Sequence, residues 1–277
     1  MNIRVGVDNY SYHRLLGEVR PGESPSGAPP WTWQDTIHSA RISGADVIAL
    51  ETCFMPDPAS VRPYARHHTP SVMLSWGHPY GLEYGTSAAA EKDLHTWMAL
   101  ASELDARRMR IVVAHPALRK GLWTSVNRRR TVEVLGRTTE RARELGLELQ
   151  IENHADLTAR ELAEVIVEVG ASNLGVCFDI ANAVRVGDEA LEAARILAPL
   201  TSVMHVKDVD LTLPYGVTGP RSVALGSGSL PVREAIDLMR RESADLWLLV
   251  EIAQIAPGAP PEEEWVARDI AWIRAQL

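Results

Sequence analysis

The sequence predicts a (β/α)8 barrel, and three observations carry that reading. Eight short stretches with strand patterning alternate with eight of helical spacing along 277 residues, the alternation that builds a parallel sheet with helices outside it. No shift of composition divides the chain, so residues 1–277 read as one domain, of a length that suits a closed barrel. An open doubly wound sheet usually carries a glycine fingerprint after its first strand; here that place holds Asp8-Asn-Tyr-Ser-Tyr12 instead.

Ile3 to Asp8 is the first strand, and a Pro- and Gly-rich loop from Gly17 to Pro30 follows, long enough to mark a lid or binding loop. Trp33 to Ser43 has helical spacing and stops at Gly44, a fitting C-terminal residue. Asp46 to Glu51 is the second strand, Pro58 to His68 a short helix, and Ser71 to Trp76 the third strand. Ser87 to Arg107 places Leu94, Trp97, Met98, Ala101 and Leu104 on one helical stripe. Arg110 to Ala114 is strand four, and the helix from Val126 to Leu145 closes at Gly146. Strand five, Leu147 to Glu152, alternates apolar and polar residues with the period of a one-sided strand. Thr158 and Glu161 form a capping box for the next helix. Then come strand Leu174 to Asp179, helix Asp188 to Leu197 and strand Val203 to Lys207. A connection from Asp208 to Ser229 precedes helix Pro231 to Arg241, strand Leu246 to Glu251 and helix Pro261 to Gln276.

A net charge of −8 and a pI near 5.6 argue against nucleic-acid binding, which needs a basic surface. Two cysteines, Cys53 and Cys177, make neither a disulfide framework nor a CxxC metal pair. No apolar run approaches the roughly 18 residues of a membrane span, and the N-terminus enters a strand without a signal pattern. The expectation is a cytoplasmic protein with no membrane and no nucleic-acid partner, its oligomeric state open.

Four strand ends carry the chemistry. Glu152, Asp179 and Glu251 close strands five, six and eight, and His205 lies in strand seven. If Leu149, Ile151, Val176 and Phe178 pack outward on the helices, strand alternation turns all four candidates into the barrel mouth. Three carboxylates gathered there repel one another unless a cation lies between them. One imidazole and three carboxylates suit one divalent ion, Mn²⁺ foremost, with Mg²⁺, Co²⁺ or Zn²⁺ also compatible. Lys207 shares the His205 face, to hold a hydroxylate or to pair with a buried carboxylate. His78, His115 and His154 fall within two residues of strand ends, and Tyr10, Tyr12 and His13 follow the first strand. All are candidates for lining a pocket, as are Trp31 and Trp33; His38, His67, His68 and His95 read as surface or packing residues.

The run Ile151-Glu-Asn-His154, then Gly175-Val-Cys-Phe-Asp179 with Asn182, then His205-Val-Lys-Asp208 and Val250-Glu251, resembles the xylose isomerase-like barrel superfamily over the whole chain. That group contains sugar isomerases and epimerases as well as dehydratases. The resemblance implies Glu152, Asp179, His205 and Glu251 as metal ligands, with Glu152 and Glu251 doubling as an acid/base pair on opposite faces of the substrate. Two departures stand out. Ketose epimerases often carry a histidine three residues after the strand-six aspartate, where this chain has Asn182, and an arginine soon after the strand-seven histidine, where Arg221 comes sixteen residues on.

The expected activity is a metal-dependent isomerase or epimerase of a small sugar-like carbonyl compound. Glu152, Glu251, His154 and Lys207 are its catalytic candidates, and His115, His78, Asn182, Arg221 and Tyr10 its substrate-binding ones. The rival is a lyase on the same scaffold, in which the shared enolate expels a β-substituent: inosose or dehydroshikimate dehydration, or cleavage of a 3-keto glycoside.

Overall fold

The computed structural model of the chain describes residues 2–27, 29–61, 71–212 and 220–277. Its strands are β1 (Asn2–Asp8), β2 (Val47–Glu51), β3 (Ser71–Ser75), β4 (Arg108–Ile111), β5 (Glu148–Glu152), β6 (Leu174–Asp179), β7 (Thr201–Val206), β8 (Asp208–Asp210), β9 (Arg221–Val223) and β10 (Asp245–Val250). Eight of them form a closed parallel barrel in the order β1-β10-β7-β6-β5-β4-β3-β2. The helices outside are α1 (Trp33–Ile42), α2 (Pro58–Val61), α3 (Ala88–Glu103), α4 (Arg119–Leu122), α5 (Ser125–Glu144), α6 (Ala159–Val169), α7 (Ile180–Val186), α8 (Ala190–Leu197), α9 (Val232–Glu242) and α10 (Glu262–Gln276). Among the described residues no helix is long and apolar enough to cross a membrane.

Strand alternation splits the core in two. Leu149, Ile151, Val176, Phe178, Met204 and Val250 join the large cluster packed against the helices. Val47, Ala49, Met73, Cys177, Val203, Trp247 and Leu249 form a separate cluster on the other parity, an apolar plug across the barrel interior. Residues two positions beyond that plug therefore face inward at the C-terminal end of the strands. Glycine makes room where strands crowd. A Cβ on Gly6 would lie 1.9 Å from the Val47 carbonyl oxygen, and one on Gly175 would lie 2.7 Å from Gln150 Oε1.

Several elements differ from the sequence expectation. β4 begins two residues early, at Arg108, a buried charge that is satisfied there: it donates to Glu148, to Asp245 and to the Ser202 carbonyl. The connection after β7 contains structure, an antiparallel pair of β8 and β9. It is drawn together by the Asp208 carboxylate, which accepts from the backbone N–H groups of Gly226, Gly228 and Leu230. Short helices α4 and α7 are additions, and α7 starts where Asp179 accepts the Asn182 N–H as its cap. Of the helix expected from Pro58 to His68, Pro58–Val61 is seen and the remainder lies outside the described residues. The long first loop is pinned by Glu23, whose carboxylate accepts from the N–H groups of Arg20 and Ile255 and pairs with His13.

Candidate metal centre

Glu152 and Asp179 end their strands, His205 is the fifth residue of β7, and Glu251 follows β10 directly. Each offers one ligand atom, and these four atoms lie within 4.8 Å of one another. The side chains are buried, Glu251 the most open at 11% exposed against 4% for Glu152. His205 Nδ1 stands 2.6 Å from Glu251 Oε2 and 3.6 Å from Glu152 Oε1. Yet Nδ1 and Oε2 are both buried without a hydrogen bond. Buried polar atoms are nearly always paired, so these two unpaired atoms, converging with Glu152 and Asp179, fit a cation that all four residues ligate.

The charge balance argues the same way. Asp8 and Glu51, at the ends of β1 and β2, are buried beside the cluster: Asp8 lies 3.6 Å from His205 Nε2 and accepts from Ser75 Oγ, while Glu51 contacts the Arg110 guanidinium. Buried Asp8, Glu51, Glu152 and Asp179 and the slightly exposed Glu251 thus meet the buried cations Arg110 and Lys207 and the His205 imidazole. Arg110 Nε lies 3.3 Å from Glu152 Oε2, and Lys207 Nζ lies 2.7 Å from Asp179 and 3.1 Å from Glu251. Burial opposes ionisation of Glu251, but Lys207 and His205 outweigh it and hold its pKa well below the usual range. Burial likewise opposes charge on Glu152, where Arg110 and His154 prevail and lower the pKa. Asp179 goes the other way: burial raises it, only partly offset by Lys207, with Glu251 adding to the rise. Burial also disfavours charge on His205, yet Cys177, Glu251 and Asp8 raise its pKa well above the ordinary value. The cluster draws positive charge to itself, and its oxygen-rich donor set with one imidazole fits a hard or borderline divalent ion.

The description "Xylose isomerase-like TIM barrel" matches residues 60–276 of this sequence, more than half of it. The chain belongs to that family. Part of it is 30% identical over 88 residues to the uncharacterized protein YihM of Escherichia coli (strain K12), a match spanning 32% of this chain and 27% of that relative's length. As a xylose isomerase-like barrel it superposes on a D-psicose 3-epimerase solved in the presence of D-fructose, with a TM-score of 0.71, 17% identity and 99% of each chain covered. It also superposes on the probable 3-DHS dehydratase AsbF from Bacillus anthracis, with a TM-score of 0.69, 15% identity and 99% of each chain covered. At these identities the likeness to solved structures is one of fold.

The remaining sequence candidates divide into those gathered at the cluster and those apart from it. Lys207 is a partner of two cluster carboxylates, so the ion-pair role is the one the geometry displays. Asn182 donates from its amide to Glu152 Oε1 and to Asp179 Oδ2, both at 2.9 Å, which makes it a brace within the cluster. His154 is held neutral, its pKa lowered to about 4 by burial, and its Nδ1 is buried without a partner. His115 lies across from it, ring centres 6.5 Å apart, and its Nδ1 accepts the Ala117 N–H. His78 stacks on Trp76 at 5.0 Å. Tyr10 donates its hydroxyl to Glu18 and lies under the Arg20 guanidinium, joining the first loop to the mouth. His13 and Tyr12 are fully buried and bonded to Glu23 and Ser39, so they build the wall from behind. Arg221 stands in β9 opposite Asp210, near neither Asn182 nor Lys207 in any contact the structure records.

Arg110, Asp8 and Glu51 are parts of the centre beyond the residues expected from the sequence. The signal was present: each shares the inward parity of its strand, and Asp8 and Glu51 end theirs as Glu152 ends β5.

Proposed function

We propose that this barrel, residues 1–277 acting as one catalytic domain, is a divalent-metal-dependent isomerase or epimerase of a sugar-like polyhydroxy carbonyl compound. The observation that carries the reading is the state of Glu251. Lys207 and His205 hold its pKa well below the usual carboxylate range, it is the most accessible member of the cluster, and its oxygens face Lys207 Nζ at 3.1 Å and His205 Nδ1 at 2.6 Å. Its access to the mouth is what suits it to take a proton from a bound substrate as general base. Glu152 presents the second carboxylate, its oxygens held by Asn182 and Arg110, and serves as the proton donor or acceptor from the other side. Lys207 favours the charged form of Glu251 and, against burial, that of Asp179, and neutral His154, two residues past Glu152, is the proposed proton carrier.

Glu152, Asp179, His205 and Glu251 would hold the ion, Mn²⁺ by preference, and when bound it supplies Lewis-acid stabilisation to a carbonyl whose α-carbon loses a proton. His115, His78, Tyr10 and Arg221 are the proposed substrate contacts of the surrounding loops. The names of the similar folds, an epimerase and a dehydratase, bracket the two outcomes of one common step, proton removal beside a carbonyl. Asn182 as a brace favours neither.

The experiment is incubation with Mn²⁺ and a panel of ketoses, inososes and 3-keto glycosides in D₂O, read by mass. Deuterium uptake with otherwise conserved mass and approach to one equilibrium from either epimer supports the proposal. Uptake coupled to loss of water or aglycone, with no interconversion, replaces it with the lyase. No exchange on any carbonyl compound removes both.

A further inference from the structure

We propose that one side of the mouth is a subsite for an anionic oxygen group, a carboxylate or a phosphate ester, carried by the substrate and recognised by Arg185. The assignment rests on reading the mouth as the seat of a polyhydroxy carbonyl compound and says which such compounds it takes. A cavity of about 630 Å³ is lined by Arg119, Trp123, Glu161 and Arg185 among others. It is joined to the cluster by one hydrogen-bonded relay. Arg185 Nη1 donates to Asn182 Oδ1 at 2.8 Å, and the Asn182 amide donates onward to Glu152 and Asp179.

Two guanidinium groups reach this cavity, and they differ in what they have left to offer. Arg119 Nη1 donates to the Asp156 carbonyl and to Glu161 Oε2, both at 2.8 Å, so its charge already has a carboxylate. Glu161 in turn is held by Arg119 and by the backbone and hydroxyl of Thr158. Arg185 has only the neutral Asn182 oxygen, and among the described residues no carboxylate pairs with it. Its remaining N–H groups are free to make the parallel pair of bonds that guanidinium forms with carboxylate and phosphate.

His115, next in sequence to Pro116 of the cavity lining, adds a donor nearby. Its Nδ1 accepts the Ala117 N–H at 3.1 Å, so in the neutral ring the proton resides on Nε2. The Arg185 charge acts on that ring, second only to burial in lowering its pKa, which marks the two groups as neighbours. His154, 6.5 Å from His115 between ring centres, adds a buried Nδ1 with no partner. One side of the mouth therefore lacks an anion while the cluster beside it lacks a cation. A divalent ion would meet the second need, and a compound with a carbonyl at one end and a carboxylate or phosphate at the other would then reach both places, the short Arg185–Asn182 link setting the spacing between them. An anion on the outer face of Arg185 leaves the bond to Asn182 intact, so recognition does not disturb the cluster.

The test reads binding rather than turnover. The histidine Cε1–H resonances of the full chain, supplied with Mg²⁺, are followed by NMR while inorganic phosphate, acetate or the neutral sugar D-fructose is added. The His115 resonance shifts saturably with phosphate or with acetate, and that of His38, exposed on α1, does not move. Arg185→Met, at an exposed position that leaves the core closed, weakens that binding at least about tenfold, and Arg185→Lys falls between. The arm that saturates at lower concentration names the group. Absence of a saturable His115 shift with either anion, or equal affinities in the wild type and Arg185→Met, overturns the subsite. A chain that binds anions this way but exchanges no proton on any carbonyl compound fails as an isomerase and keeps the subsite.

Discussion

The two ends of the barrel are built from the same strands and the same kinds of residue, yet they behave oppositely. At the N-terminal end Arg108, 2% exposed, bridges Glu148 and Asp245, Arg107 bridges the same two carboxylates from outside, and Arg108 lies 4.7 Å over the Trp247 ring. Two cations meet two carboxylates, and each of those contacts is a formed hydrogen bond. At the C-terminal end the same β4, β5 and β10 contribute Arg110, Glu152 and Glu251. There carboxylates outnumber cations, and among the converging side chains the His205 ring nitrogens and Glu251 Oε2 have no hydrogen bond. An ion-pair network by itself is a fastening; an unbalanced one is a place for something else. The apolar plug between them keeps the two from sharing charge.

The largest expected effects come from breaking the asymmetry. Glu251→Gln keeps an oxygen able to ligate but cannot take up a proton, so kcat in the exchange assay falls by roughly 10²–10⁴-fold while calorimetry still detects divalent-ion binding. Arg108→Met, at the balanced end, leaves kcat within about twofold, since it acts on stability alone. If Glu251→Gln retained near-wild-type turnover, the base would have to be sought elsewhere in the mouth.

Stability distinguishes the two ends at the next level. At a free-ion concentration a hundred times Kd, metal binding stabilises the native state by about 2.7 kcal/mol, so EDTA lowers the melting temperature of the wild type and of Arg108→Met by the same interval. Arg108→Met starts from a lower baseline, by about 1–3 kcal/mol, a buried-pair cost reduced because Glu148 and Asp245 are partly exposed. Asp179→Ala or His205→Ala should erase the EDTA interval. Thermal melts with and without Mn²⁺ read all of these, and an EDTA interval surviving in Asp179→Ala would place the ion away from the cluster.

The four strand-end ligands were legible because a barrel strand hides little: two-residue alternation and a polar residue at the C-terminal tip point inward whatever the neighbours do. Lys207 was legible by the same parity. Arg110 was not, because it opens the expected strand Arg110 to Ala114, and an arginine at the start of a strand reads as solvated. Arg108 was lost with it, and its partners Glu148 and Asp245 are distant in sequence. The β8–β9 pair had no readable pattern, since strands of three residues each, with Gly and Pro between them, carry too few alternations to count. The subsite arginine was hidden differently. Arg185 follows Asp179 by six residues, but whether a surface cation is paired is a fact of three-dimensional neighbours, which spacing does not reveal.

The smallest effect concerns a carboxyl at the unbalanced end that belongs to no ion pair. Asp156, in the loop after β5, is buried and accepts from the backbone N–H groups of Ala114 and Leu157. Those bonds favour its charged form, but burial outweighs them and pushes its pKa up to about 7. In the unfolded chain an aspartate titrates near 4, about 3.9. Between the two values the native state binds more proton than the unfolded state. The sign follows: this contribution to stability is fully present below about pH 4 and is lost as pH rises through about 7, with a slope of at most about 1.4 kcal/mol per pH unit. Asp156→Asn removes the titration while keeping one acceptor for the two N–H groups, at a roughly constant offset of about 1–3 kcal/mol. Urea denaturation of both proteins from pH 4 to 8 measures the difference. That difference should shrink steadily as pH rises, because the wild type loses what the variant never had. A difference independent of pH would mean that Asp156 is ionised throughout, and that its two backbone bonds outweigh its burial after all.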